Sequence, residues 1–400
     1  MGLSANDTHR NVIVSYALAA NLHWLDTFVM RSRLFRLFVV LLALVTFASS
    51  ICAGEKQAVP RSHNVIVVTL DGFRFQEFFG GADEALLNKQ FGGVKDLDGL
   101  KKRYWRDTPQ QRRAALLPFF WNELAKNGQI FGDRSRKAPT RLTNGLKFSY
   151  PGYNEIFCGF ADPAINSNAK KANSNLSVLE FLGDKPAYKD RVAAFCTWDV
   201  FPFIFRSERN GLKVHVAWQP LADAALTAHQ RMMNDLLPKL PRYWPDNCFD
   251  VASMEYAREH LVRHKPRVLY LGLGETDEWG HARRYDLYLD AANNTDRYLA
   301  ELWQTLQKMP EYRDRTSLIV TTDHGRGNTR VDWTDHGKKV PLAEFIWIAV
   351  LGPDTPALGV RADVDTTQSQ VAATIAHLLG EDFALASPKA APPLPGVRQK

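Results

Sequence analysis

The chain has 400 residues, of which 45% are hydrophobic and 23% are charged, and its formal net charge is +7. This composition is typical of a globular protein with a large core and excludes a disordered chain. The basic excess is spread along the sequence, as expected of a solvated surface, and no motif indicates nucleic-acid binding. The sequence gives no indication of the oligomeric state.

Residues 30–53 have the pattern of an export signal. Met30 opens a basic segment, which is followed by an apolar run over 37–48 and then by small residues. The run is too short to span a bilayer comfortably, so we predict a cleaved signal and no stable membrane span. We therefore expect residues 1–53 to be an extension plus signal peptide, with Met30 as the natural start. The mature protein is then periplasmic or secreted.

Short apolar runs and helical patterns alternate along the remaining chain. The runs are rich in valine and isoleucine, as in strands that are buried on both faces of a parallel sheet. They cover 64–70, 191–196, 213–218, 268–273, 317–321 and 345–351. Apolar residues at helical spacing cover 112–126, 285–308 and 366–379. We predict a single α/β domain over 64–385, with a largely parallel central sheet flanked by helices on both faces, and a flexible tail over 386–400.

Three of the predicted strands end in acidic residues with glycine nearby. Asp71 follows the first run, Asp277 and His281 follow the run over 268–273, and Asp323 and His324 follow the run over 317–321. The carboxyl ends of strands in a parallel sheet share one edge, where ligands bind. One such aspartate would normally cap a helix, but three strands that end in this way favour a common site.

The residue types at these strand ends indicate a metal site. Mixed carboxylate and imidazole ligands suit zinc, or manganese less tightly. Asp277 and His281 are four residues apart, so both side chains can reach one ion from a single turn. Asp323-His324-Gly325 requires a bent loop, and Asp335-His336-Gly337 supplies one more imidazole. These residue types therefore predict bound divalent cations at this edge of the sheet.

Ser149 is the candidate nucleophile. It lies in the sequence Phe148-Ser149-Tyr150-Pro151, which predicts a helix start with the serine at the cap. A plain capping role is the ordinary interpretation of such a serine. The same geometry also presents free backbone N–H groups to an anion, and a bound metal activates a serine hydroxyl.

Together these motifs resemble the alkaline phosphatase superfamily, and most closely its type I phosphodiesterase/nucleotide pyrophosphatase branch. The resemblance spans about residues 64–380. It implies a first metal held by Asp71, Ser149, Asp323 and His324, and a second held by Asp277, His281 and His336. It also implies an asparagine that contacts a phosphoryl oxygen, for which Asn168 is the candidate and Asn166, Asn173 and Asn175 are alternatives.

The resemblance implies hydrolysis of a small phosphate ester through a phosphoseryl intermediate on Ser149. The branch usually carries threonine at this position, so monoester and diester substrates both remain open. His336 follows His324 by only twelve residues, which is more similar to the phosphoglycerate mutases of the superfamily. A mutase-like enzyme and a non-catalytic metal-binding protein are the alternatives.

Some residues near the motifs have no predicted role in the chemistry. Lys147 and Arg326 could meet an additional phosphate charge, but we expect them to be solvated. Aromatic residues in the intervening segments could stack on a nucleobase, but we expect them to fill the core. These aromatic residues are Trp105, Trp121, Trp198, Phe201 and Phe203.

Overall fold

A computed structural model describes residues 61–222 and 225–398 of the chain. All of them belong to one unit of the chain, Val59–Lys400. The predicted extension, the signal peptide and the Met30 start lie outside the described residues. Within the described ranges, no helix is both long enough and apolar enough to cross a bilayer.

The strands and helices alternate over most of the chain. The strands are β1 Asn64–Leu70, β2 Gln129–Phe131, β3 Thr140–Arg141, β4 Val192–Cys196, β5 Lys213–Val216, β6 Val268–Leu273, β7 Thr316–Thr321, β8 Phe345–Ile346, β9 Ile348–Leu351, β10 Gly359–Val360 and β11 Thr366–Thr367. The helices are α1 Phe75–Gly80, α2 Lys89–Gly92, α3 Leu97–Tyr104, α4 Pro109–Leu116, α5 Ala125–Asn127, α6 Ser149–Cys158, α7 Val178–Gly183, α8 Phe201–Ile204, α9 Ser207–Asn210, α10 Ala228–Leu236, α11 Asp250–His264, α12 Glu275–His281, α13 Tyr285–Lys308 and α14 Gln370–Leu378.

Eight strands form the central sheet, in the order β10-β2-β9-β7-β1-β6-β4-β5. Strands β7, β1, β6, β4 and β5 are parallel to one another, whereas β9 is antiparallel to both β7 and β2. The remaining strands β11, β3 and β8 form a small second sheet. The predicted α/β class with a largely parallel sheet is confirmed.

The three middle strands are buried on both faces. Every residue of β1, β6 and β7 is buried, and successive side chains of a strand point to opposite faces. Helices therefore cover both sides of the sheet, which explains why these strands read as continuous apolar runs. In the register of the sheet Leu70 lies beside Leu273, and Thr69 lies beside Thr321, so the three strands end at one edge.

The segment between Ser149 and Asp277 contributes β4, β5 and β6 to the central sheet. A mutase-like enzyme would instead carry a large inserted domain at this point. In this chain the segment belongs to the same unit as the rest of the sheet. The fold therefore disfavours the mutase alternative.

The predicted helix over 112–126 was wrong, because proline interrupts it. Pro118 disfavours the helical conformation of Leu117, whose φ and ψ are −129° and 67°. Helix α4 consequently ends at Leu116, and a π-helical turn over Phe120–Leu124 follows. The predicted strand over 345–351 is also divided, into β8 in the small second sheet and β9 in the central sheet.

The predicted helix over 366–379 begins later than expected. Thr366 lies in β11, where its hydroxyl is 2.6 Å from that of Thr140 on the neighbouring strand. The helix begins only at Gln370, whose side chain accepts a hydrogen bond from Thr367 N. Two β-branched residues favour the extended conformation here.

The prediction of a flexible tail also differs from the structure. Leu394 and Val397 are buried, and Leu394 N donates a 2.8 Å hydrogen bond to the hydroxyl of Thr374 on α14. Arg398 donates to the carbonyl of His377 on the same helix. A composition rich in proline and alanine therefore does not prevent this segment from packing, because its few apolar residues are placed over α14.

A buried aspartate gives the fold a testable dependence on pH. Asp296 on α13 accepts hydrogen bonds of 2.8 and 3.0 Å from the backbone N–H groups of Phe119 and Phe120. Burial raises the pKa of Asp296 to about 7, although these hydrogen bonds oppose the shift. The folded state therefore binds this proton more tightly than the unfolded state. The resulting stability is present below the unfolded pKa and is lost as the pH rises toward 7.

The measured quantity is the free energy of unfolding of the wild type minus that of Asp296→Asn. We expect this difference to decrease from pH 4 to pH 8, by at most about 4 kcal/mol. Urea unfolding of both proteins in the presence of a chelator measures this difference. The contributions of all other titratable groups cancel, because both proteins carry them. A difference that does not vary with pH would contradict the expected role of Asp296.

Candidate active site

The middle of the sheet brings the predicted site residues together. Strands β7, β1 and β6 are neighbours, and their carboxyl ends lead directly into the loops or helix that carry the acidic and imidazole side chains. Six of these side chains form two groups of three in the described chain. The groups are Asp71, Asp323 and His324, and Asp277, His281 and His336.

We call Asp71, Asp323 and His324 the first cluster. One ligand atom of each residue lies within 4.8 Å of the other two, and all three residues are buried. Asp71 Oδ1 and Asp323 Oδ2 are 3.3 and 3.5 Å from His324 Nε2. Neither carboxylate oxygen has a hydrogen-bond partner among the described residues. Since a buried charge without a partner is costly, a cation fits this cluster.

Hydrogen bonds hold the remaining polar atoms of the first cluster. Tyr153 Oη donates a 2.9 Å hydrogen bond to Asp71 Oδ2, and Gly72 N donates a 3.0 Å hydrogen bond to Asp323 Oδ1. His324 Nδ1 lies 2.9 Å from the carbonyl of Gly325, to which it donates. In the neutral imidazole, this arrangement leaves the lone pair on His324 Nε2, the atom that faces the two free carboxylate oxygens.

We call Asp277, His281 and His336 the second cluster. His281 Nε2 lies 3.0 Å from His336 Nε2 and 3.2 Å from Asp277 Oδ2. His336 Nδ1 donates to the carbonyl of Lys147 at 3.1 Å, which leaves the Nε2 lone pair free. Two imidazole nitrogens that face each other at this distance suit ligands of one cation. Because His281 is exposed, the second cluster is more open to solvent than the first, whose three residues are buried.

The two clusters are adjacent. The rings of His324 and His336 stack at 4.0 Å between centroids. Asp277 Oδ1 lies 3.8 Å from His324 Nε2 and 3.9 Å from His336 Nε2. The two groups of candidate ligands are therefore close enough to serve one reaction centre.

Arg326 is a site residue that the sequence analysis undervalued. We expected a solvated side chain, but Arg326 is fully buried and its guanidinium forms an ion pair with the carboxylate of Asp277. Its Nη2 also donates to the carbonyl of Asp277 at 2.9 Å. Its position two residues after His324, in a loop that must bend toward the site, is the only sequence signal for this role.

The charges of the site act on each other strongly. Burial raises the pKa of Asp323 well above its usual range, and the carboxylate of Asp71 adds to this effect. Burial alone would lower the pKa of His324, but Asp323 and Asp71 raise it to about 9. Burial, together with the nearby His324, lowers the pKa of His336 to about 2. The first cluster is thus an excess of buried negative charge that stabilises a proton or a cation.

The acid of the second cluster behaves differently. Burial would raise the pKa of Asp277, but Arg326 and His281 hold it well below its usual range. The direction of this shift favours the carboxylate form of Asp277. This is the protonation state that a metal ligand requires.

Ser149 lies beside the first cluster. Helix α6 begins at Ser149, with Phe148 at the cap, so the serine is the first helical residue and its side chain does not cap the helix as predicted. Ser149 Oγ lies 3.4 Å from His324 Nε2 and the residue is 5% exposed. The ordinary capping interpretation of this serine is wrong, and its hydroxyl is directed to the candidate ligands.

A network around Glu155 fixes the turn that precedes Ser149. Glu155 is fully buried and accepts hydrogen bonds from the backbone and side chains of Thr143 and Asn144. Asn144 Oδ1 in turn accepts from Lys147 N at 3.0 Å, and Lys147 has the left-handed φ of 59°. The sequence analysis missed this carboxylate, because no local motif distinguishes it from a helix surface residue.

Two glycines permit the close approach of these elements. A Cβ on Gly152 would lie 2.4 Å from the carbonyl of Asp323, so α6 packs directly against the backbone of the first cluster. A Cβ on Gly72, whose φ is +60°, would lie 2.6 Å from Asp277 Oδ1 and 3.2 Å from His324 Cε1. Any side chain at Gly72 would therefore enter the space between the clusters.

A cavity of about 410 Å³ opens next to Ser149 and is lined by Asp71, Asp277 and Asn168, among others. Asn168 Oδ1 accepts a 3.0 Å hydrogen bond from Tyr150 N at the start of α6, which leaves its amide N–H groups free to donate. The alternatives Asn173 and Asn175 both donate to Asn154 Oδ1 and so hold the fold together. Trp198, expected in the core, also lines this cavity.

Several solved structures have a similar fold. The alkaline phosphatase PafA has 10% identity and a TM-score of 0.56, with 86% of this chain and 100% of that chain covered. The lipoteichoic acid synthase LtaP from Listeria monocytogenes has 12% identity and a TM-score of 0.50, with 80% and 73% covered. A putative sulfatase from Bacteroides thetaiotaomicron has 11% identity and a TM-score of 0.51, with 85% and 73% covered. At these identities the likeness concerns the fold alone.

The fold is similar to that of an alkaline phosphatase, as the resemblance in the sequence implied. The sequence profile of type I phosphodiesterases and nucleotide pyrophosphatases matches residues 149–381, more than half of the chain. The protein therefore belongs to the type I phosphodiesterase/nucleotide pyrophosphatase family, which is a family of hydrolases. Comparison of the sequence with curated proteins finds no match.

Proposed function

We propose that the protein is a metal-dependent hydrolase of small phosphate esters, with Ser149 as its nucleophile. The observation that carries this proposal is the position of Ser149 Oγ, 3.4 Å from His324 Nε2, beside two adjacent clusters of metal-ligating side chains. Membership of a hydrolase family supports the reaction class. A non-catalytic metal-binding protein would not require a buried hydroxyl at this position.

The donor set fits two divalent cations. Asp71, Asp323, His324 and Ser149 would hold one of them, and the second cluster would hold the other. The free oxygens of Asp71 and Asp323 support this assignment, because neither has a hydrogen-bond partner in the described chain. Carboxylate and imidazole donors favour zinc, with manganese as the alternative. When bound, the cations stabilise the charge that develops on the entering and leaving oxygens.

The reaction proceeds in two steps at Ser149. Its oxygen attacks phosphorus in line with the leaving alcohol, so a Ser149 Oγ–phosphorus bond forms as the bond from phosphorus to the alcohol breaks, and the proton lost by the serine hydroxyl is balanced by the one that the leaving alcohol gains. Water then attacks the phosphoseryl group, the bond to Oγ breaks and the hydroxyl of Ser149 is restored. Asn168 donates an amide N–H to a phosphoryl oxygen in both steps. Its Oδ1 already accepts a hydrogen bond from Tyr150 N, so the amide N–H groups are the part of its side chain that is free for the substrate.

We also propose that the enzyme works after export, in the periplasm or outside the cell. The support comes from residues 30–53 alone, which combine a basic start, a short apolar run and small residues at the predicted cleavage position.

The proposal predicts metal-dependent release of nitrophenol. Purified protein with added zinc should hydrolyse p-nitrophenyl phosphate, bis-p-nitrophenyl phosphate or both, and a chelator should abolish turnover, because the clusters would lose their cations. Re-addition of zinc or manganese should restore it. The ratio of the two rates decides between a monoesterase and a diesterase.

Turnover that persists after complete removal of metal, verified by elemental analysis, would contradict the proposed role of the clusters. The absence of turnover of either ester in protein that contains two cations would contradict the proposed function itself. Ser207→Ala is the matched control for later serine variants, since Ser207 lies on α9 and outside the cavity.

A further inference from the structure

One wall of the cavity beside Ser149 is fixed by backbone pairing between two distant segments. Trp198 and Asn247 form an isolated antiparallel bridge, and a 3.0 Å backbone hydrogen bond flanks it on either side. Trp198, Asn247 and the adjacent Asp246 all line the cavity. The wall is therefore formed by the protein alone. The residues that line it indicate which kind of ligand the cavity can bind.

This wall carries an uncompensated negative charge. The carboxylate of Asp246 has no ion-pair partner within residues 61–222 and 225–398. Lys170 is the single lysine or arginine among the lining residues of the described chain, and its Nζ lies 2.6 Å from Asp199 Oδ2. The charge of Lys170 is thus neutralised by a residue other than Asp246. A second phosphate or a carboxylate on the substrate would be repelled here, whereas a cation would be attracted.

Asn247 provides a second and independent indication of the ligand. Asn247 is buried, with only 6% of the residue exposed, and its Nδ2 donates a 3.0 Å hydrogen bond to Glu278 Oε1. Its Oδ1 has no hydrogen-bond partner among the described residues. Asn247 is a lining residue of the cavity, and the donor that its buried amide oxygen lacks is one that a ligand or a water molecule in the cavity can supply.

Trp198 supplies an aromatic surface at the same wall. Its ring packs edge-on against Phe201 at 6.1 Å between centroids, which fixes its orientation. A ligand cation over a tryptophan face is attracted by the ring electrons. The wall therefore combines a free carboxylate, an amide oxygen that needs a donor and an aromatic face.

We propose that this cavity selects phosphate esters of amino alcohols, whose protonated primary amine lies against Asp246, Asn247 and Trp198. The ammonium group donates hydrogen bonds to the Asp246 carboxylate and to Asn247 Oδ1, while the phosphoryl group lies at Ser149. This inference rests on the proposed function, because it assigns the organic part of the ester that Ser149 attacks.

The test compares substrates that differ only in this charge. O-Phosphoethanolamine and propyl phosphate have the same shape, with a methyl group in place of the ammonium. For diester activity the corresponding pair is p-nitrophenyl 2-aminoethyl phosphate and p-nitrophenyl propyl phosphate. In the zinc-loaded wild type we expect kcat/KM to be about tenfold higher or more for the amine, since two or three favourable contacts are added.

Variants then show whether Asp246 causes the preference for the amine. In Asp246→Asn the ratio of kcat/KM for amine over propyl ester should fall at least about threefold, because a charged acceptor is lost. Asp107→Asn makes the same change at an exposed carboxylate outside the cavity and should keep the wild-type ratio. The ratio is internal to each preparation, so partial misfolding or metal loss does not affect it.

The possible results separate the two proposals. Turnover of p-nitrophenyl phosphate or its diester with an amine-to-propyl ratio near one overturns the inference and leaves the proposed function standing. A ratio that is high in the wild type but unchanged in Asp246→Asn also overturns it. If metal-loaded protein hydrolyses none of these esters, the proposed function fails.

Discussion

Replacement of Ser149 by alanine is expected to lower the turnover of phosphate esters by at least about 1,000-fold, because the group that attacks phosphorus is removed. Both cations should remain bound, since each cluster keeps three ligands from aspartate and histidine. Rates with p-nitrophenyl esters and elemental analysis of the same preparation measure the two effects together.

Two variants make this expectation specific. Ser149→Thr retains a hydroxyl and should be more active than Ser149→Ala, although its extra methyl group must fit a site that is only 5% exposed. Ser207→Ala should behave as the wild type. Full activity of Ser149→Ala at undiminished metal content would remove Ser149 from the mechanism and leave only a structural role at the start of α6.

Loss of Asp277 is expected to have the second-largest effect. Asp277→Asn removes the only carboxylate of the second cluster and leaves the buried Arg326 without its ion-pair partner. We expect one cation per chain to be lost and turnover to fall by at least about 100-fold, because ligand changes weaken metal binding and a cation no longer stabilises an oxygen at phosphorus.

Asp335→Asn is the matched control for this change. Asp335 adjoins His336 in the same loop but is exposed and belongs to neither cluster. Its replacement should keep two cations per chain. Retention of both cations and of activity in Asp277→Asn would contradict the assignment of the second cluster. Circular dichroism shows whether Asp277→Asn is folded. If it is not, His281→Ala tests the same cluster, because it removes a ligand that is exposed and whose loss should leave the fold intact.

The sequence predicts the centre of this fold well for a physical reason. Strands β1, β6 and β7 are buried on both faces, so their residues must be apolar throughout, and the polar residues that follow them must lie at the sheet edge. The convergence of Asp71, Asp277 and Asp323 follows from that topology without any knowledge of the loops. The long helix α13 was likewise predicted with its observed bounds, since 24 residues of amphipathic pattern are unambiguous.

The remainder of the site depends on contacts that no local pattern encodes. The burial of Arg326 against Asp277 follows from the packing of one loop on α12, and charged residues are ordinarily exposed. Glu155 holds the turn before Ser149 through partners eleven and twelve residues away. The wall of Trp198 and Asn247 joins residues that are 49 positions apart through a single bridge. Such pairings are set by the tertiary fold and appear only in the structure.

The most direct test of the account is anomalous diffraction from crystals of the zinc-loaded protein. We predict two peaks per chain, one bonded to Asp71, Asp323 and His324 beside Ser149 Oγ, and one bonded to Asp277, His281 and His336. Strong peaks at other positions, or no peak at either cluster in crystals grown with saturating zinc, would contradict the claim that these side chains hold the cations of a phosphate ester hydrolase.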